Sequence, residues 1–135
     1  MAVEIRRQSP VSFPGKPLKT DMRENWTVVL EYEAEGEGPY VFDLSHRMRW
    51  DLQDSDLSGF QPLGVGVPDT PGRSNFENGV LVNRMNRTQA SIWHLGGQTP
   101  GAPDGAAYTE TTDVTAFFGL LGPNILAIAE KLSAL

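Results

Sequence analysis

Between residues 42 and 50 the chain alternates with a strict period of two. Phe42, Leu44, His46, Met48 and Trp50 fall on one side, and Asp43, Ser45, Arg47, Arg49 and Asp51 on the other. Such alternation belongs to a half-buried strand, here expected over residues 40–52. Residues 26–32 (WTVVLEY) are rich in aromatic and β-branched side chains and predict a second strand. The acidic, glycine-containing turn at 33–39 makes these two a hairpin, with a helical first segment as the alternative. Residues 79–85 and 88–95 predict a pair of strands around a turn at Asn86 and Arg87. Residues 60–67 suggest an edge strand, because Pro62 cannot donate to a central ladder. Residues 108–121 favour strand. Ile125, Ile128, Ala129, Leu132 and Leu135 lie at helical spacing behind Pro123, which suits a first helical turn.

These elements add up to an α+β fold: a mostly antiparallel sheet of about five or six strands and one C-terminal helix. Pro10, Pro14 and Pro17, among Arg6, Arg7, Lys16, Lys19 and Arg23, mark residues 1–25 as an irregular basic arm. Residues 26–135 then form a single domain. A chain of 135 residues buries roughly two-thirds of its unfolded surface, so one core suffices without staples.

Composition narrows the chemistry. Cysteine is absent, which excludes disulfides, thiolate metal sites and a cysteine nucleophile. Asp and Glu number 17 against 11 Lys and Arg, a formal charge of −6 and the wrong sign for a nucleic-acid binder. The start lacks a signal-peptide pattern, and no apolar run approaches a membrane span. The expected setting is cytoplasmic, with no membrane partner.

Candidate chemistry sits on the predicted strands. His46, on the apolar side, is either a pocket residue able to exchange protons or a structural histidine. Arg47 and Arg49 form either a cross-strand charge ladder with Asp43 and Asp51 or a carboxylate clamp. Arg84 and Arg87 around Asn83 repeat that theme, and Trp93, with Trp50, Tyr40 and Tyr108, is expected in or beside the core, with an aromatic wall for a ligand or partner as the alternative. His94 follows at a strand end, where exposure is expected. No metal is expected from two histidines without a carboxylate pattern. Ser45 and Ser91 lack a nucleophile-elbow setting.

Three segments together carry a family resemblance. Residues 42–50 resemble the F-D-x-S-H segment early in the glycine-cleavage aminomethyltransferase (T-protein) superfamily. Residues 111–124 resemble the later D-x-[ST] strand with its A-L-x-G-P turn. Residues 77–82 stand where the family has its N-x-x-G-G-I-x-D-D strand. The resemblance implies a T-protein-like half-scaffold, because family members are much longer. Their catalytic aspartate would fall at Val82 and Asn83, or at Asn83 and Arg84, where this chain has no carboxylate. It therefore implies a non-catalytic accessory subunit without a cofactor, bound to another protein subunit or to itself. Multi-subunit redox or sulfur-oxidising, heterodisulfide-reductase-like systems are the implied setting. The alternative is a one-carbon protein binding tetrahydrofolate or a small carboxylate near His46, Arg47, Arg84 and Trp93; with Arg49, Asn83 and Arg87 these are the expected ligand- or partner-binding residues.

Overall fold

The structure, a computed structural model, describes residues 5–133. It is α+β, with nine mostly short strands paired antiparallel and one C-terminal helix among the described residues. The described residues form two compact units, residues 47–115 and residues 5–46 with 116–133.

The unit of residues 47–115 holds a five-stranded antiparallel sheet. Its strands are β4 (Arg49–Gln53), β5 (Ser74–Glu77), β6 (Val80–Arg84), β7 (Gln89–His94) and β8 (Tyr108–Glu110), in the order β5-β6-β7-β4-β8. Strand β7 alternates half-buried and buried side chains along its whole length, as a strand with one covered face must. Register puts Trp50 opposite Ile92, Leu52 opposite Ala90 and Val82 opposite Ile92, so the apolar positions of three strands share that face. Leu57 and Val65 complete the buried cluster from the loop between β4 and β5. That loop contains the segment expected as an edge strand. Instead, Pro62–Gly64 makes a 3-10 turn with Leu63 at φ 52°, and the segment lies against the cluster. Pro62 denies the ladder a donor, and burial of Val65 does not need one. The β6–β7 hairpin forms as expected, with Asn86 Oδ1 accepting the Thr88 N–H at 2.9 Å in its turn.

The other unit contains two small sheets. β1 (Pro17–Arg23) and β2 (Trp26–Tyr32) form a hairpin around Glu24 and Asn25, so the expected irregular arm is in part a strand. Prolines at 10, 14 and 17 precede the ladder or open it, where a missing donor is tolerated. β3 (Tyr40–Asp43) pairs with β9 (Phe118–Leu121) and not with β2, which corrects the expected hairpin. Helix α1 (Ile125–Ser133) matches the apolar spacing, although Leu135 lies outside the described residues.

The single strand expected over residues 40–52 is also corrected. β3 ends at Asp43, whose Oδ1 accepts the Ser45 N–H at 2.8 Å. This Asx turn offers the backbone a partner other than a ladder, and residues 45–47 leave the extended path. Residues 108–121 divide for a similar reason: residues 112–114 turn, between β8 and β9.

Candidate functional site

The arginines predicted to clamp an anion are tied to their own chain. Arg49 opens β4 at 3 % exposure. Its Nη1 donates to the Arg47 carbonyl at 2.8 Å, and its Nη2 donates to the Thr112 and Thr115 carbonyls at 3.2 and 2.6 Å. Its backbone N–H donates to Thr112 Oγ1 at 3.0 Å. The fork of five donors that suits a carboxylate also suits a turn presenting several carbonyls, and residues 111–115 are such a turn. Arg84 does the same at the end of β6. Its Nη1 donates to the Pro68 and Asp69 carbonyls at 2.9 and 3.1 Å, Nε to the Asn86 carbonyl and Nη2 to the Arg87 carbonyl.

The remaining predicted residues divide between the two units. Asn83 accepts the Ser74 hydroxyl at 2.6 Å and donates to Ser91 Oγ at 3.3 Å, bridging β5, β6 and β7. Trp93 is half-buried on β7, in register with Arg49 and Leu81. Arg87 is exposed in the β6–β7 turn. Arg47 is half-buried, and its charge acts on His94. His94 is buried rather than exposed, because register places it opposite Val80 on the core face. Burial first, then the Arg47 charge, holds its imidazole below the ordinary histidine pKa, against a hydrogen bond that the ring donates to the Gly96 carbonyl. His46 belongs to the other unit, where an Arg23 Nη1 lies 3.2 Å from its Nε2. Ser45 there is buried, and its Oγ accepts the Phe117 N–H at 3.0 Å.

An open groove of about 500 Å³ is lined by Val67, Pro68, Asp69, Thr70, Arg73, Ser74 and Asn75. Sequence reasoning assigned none of these residues a role, since they form a loop and an edge strand with no periodic signal. Arg84 holds one wall of the groove through the Pro68 and Asp69 carbonyls.

The larger feature is a surface. Every residue of the buried hydrophobic cluster belongs to residues 47–115. In the other unit, Ser45 is the one fully buried side chain among the described residues. Of the fourteen large hydrophobic side chains described as exposed, eleven lie in that unit. In β3 and β9, Val41, Phe42, Phe118 and Leu121 are all exposed. Because Val41 and Phe42 are consecutive in a strand, both faces of the β3–β9 ribbon carry apolar surface. Helix α1 buries no residue, and Leu132, on its apolar stripe, is 76 % exposed. Monomeric proteins expose single apolar residues freely, and here the exposed ones are concentrated on one unit.

Among the described residues, no helix is long and apolar enough to cross a membrane. No family model, curated protein or solved structure matches the chain.

Proposed function

We propose that this protein is a non-catalytic accessory subunit that works by association, with residues 47–115 as its folded anchor and the other unit as its binding surface. The observation that carries this reading is that, among the described residues, that second unit has no buried hydrophobic side chain beside its eleven exposed ones. A two-stranded ribbon is marginal in water on its own, and a partner that covers its apolar faces supplies the missing core.

The local chemistry supports the same reading. In the aminomethyltransferase-like register, the family's carboxylate position is taken by Val82, which is 0 % exposed in the core, by Asn83, engaged with Ser74 and Ser91, or by Arg84, engaged with backbone carbonyls. None of these is a carboxylate that could act as the general base. The F-D-x-S-H-like segment and the later A-F-F-G segment meet as β3 and β9, with Phe42 opposite Gly119. We read the chain as built on that scaffold and serving a multi-subunit redox or sulfur-oxidising assembly. The folate alternative is weaker, because Arg49 and Arg84 already donate to backbone carbonyls.

Native mass measurement of the protein isolated from its own cells tests the reading. A species of defined stoichiometry, heavier than the 14.8 kDa chain, is expected, and the companion held by β3 and β9 is lost from it in the Phe42→Asp, Leu121→Asp double variant. A strict monomer with no stoichiometric companion contradicts it.

A further inference from the structure

We propose that one partner is a second copy of the chain, added antiparallel to the outer edge of β1 about a two-fold axis at Thr20. This rests on the association reading and names an occupant for one part of that surface. Among the described residues, β1 is paired on one side alone, with β2. The far side of β2 is engaged at its start, where Arg7 exchanges hydrogen bonds with Asn25 and Thr27 across a bridge to Trp26. The sheet can therefore grow at β1, six of whose seven residues are exposed.

The order of charges along β1 is self-complementary. In an antiparallel pair centred on Thr20, positions equidistant from it face each other. Lys19 then stands opposite Asp21 of the second copy, and Leu18 opposite its Met22, each twice by symmetry. Lys16 and Glu24, just beyond the strand ends, are matched in the same way. Neighbouring registers fail. Centring on Lys19 sets Lys19 against itself, and centring on Asp21 sets Asp21 against itself and Lys19 against Arg23. Like charges directly opposite are destabilising, so these two registers are disfavoured against the one centred on Thr20.

Pro17, Lys19 and the register shifts beside Lys19 are features that discourage unrelated strands from adding to an edge. Its own copy answers the lysine with a carboxylate, so the edge excludes other strands and accepts itself. Asp21 contacts Arg23 Nε at 3.4 Å through one oxygen, in a pair largely open to water. Its carboxylate is therefore still accessible to a lysine from outside. Leu18 and Met22, 58 % and 47 % exposed, cover one another across the axis, and two hairpins become one four-stranded sheet.

Light scattering of the purified full chain over a range of concentrations reads the outcome, with a dimer of twice 14.8 kDa expected. Lys19→Asp alone and Asp21→Lys alone each weaken the dimer by about tenfold, since each sets like charges opposite at two places. The combined swap restores it. Lys19 also faces Glu31 within its own hairpin, a relation the double variant does not repair, so rescue reports the contact between copies. A wild-type monomer at every concentration, or a dimer indifferent to the single swaps or not rescued by the double, overturns the proposal. If the monomer still joins a larger complex in its own cells, the association reading survives alone; if it joins none, both fall.

Discussion

Arg49 carries a full charge at 3 % exposure, and such a group persists only where its donors are answered. Here the answer is carbonyl oxygen from Arg47, Thr112 and Thr115, which makes the guanidinium a tie between the start of β4 and the turn before β9. Arg49→Ala leaves those carbonyls without their donor, and urea unfolding should register a loss of roughly 3 kcal/mol. A loss under half of that would show that the turn holds itself. His94 gives a prediction with a sign. Its folded-state pKa lies below the unfolded value of about 6.5, through burial and then the Arg47 charge. The unfolded chain therefore takes up the proton first. The stability it contributes is complete above the unfolded pKa and is lost as pH falls toward the folded one. The urea midpoint should drop between pH 7.5 and pH 5.5, and His94→Gln should reduce the drop. An unchanged pH profile in that variant would sink the assignment. Arg47, Arg49 and Arg84 were legible in the sequence as unusual, but their roles were not. Arg49 meets carbonyls more than 60 positions away, and no local pattern encodes such a partner.

Among the elements, the β6–β7 hairpin was readable because apolar alternation and turn residues agree over its length. Helix α1 was readable from its apolar spacing. The failure at residues 40–52 came from a period-two pattern broken at Asp43, whose side chain binds the Ser45 N–H locally, while the Ser45 hydroxyl binds the Phe117 N–H far along the chain. The β5–β6 turn depends on Gly79, at φ 80°, where an added Cβ would lie 2.6 Å from the Gly96 carbonyl oxygen. That carbonyl belongs to the segment whose Leu95 N–H donates to Gly79 O at 2.7 Å, so it cannot retreat without breaking the bond. Gly79→Ala should cost roughly 3 kcal/mol from strain and clash together. Gly66→Ala, with open space around the new methyl and no positive φ, should change stability by less than about 0.5 kcal/mol. Equal effects at the two glycines in thermal unfolding would contradict the geometry.

At the scale of the whole molecule, hydrophobic burial is unequally shared. Trp50, Leu52, Val82 and Ile92 centre one unit, while the hairpin, the β3–β9 ribbon and α1 present apolar side chains to water. Composition gave no warning, because the chain has enough apolar residues for one core and their total does not say where they gather. The central claim is that the unit without a core is completed by association. Native-state hydrogen exchange, compared between a dilution at which the chain is monomeric and its associated form, tests this most directly. Amides of β1, β2, β3 and β9 should exchange with little protection in the monomer and gain protection on association, while β4, β6 and β7 stay protected throughout. Equal protection of both units in the monomer would contradict the account.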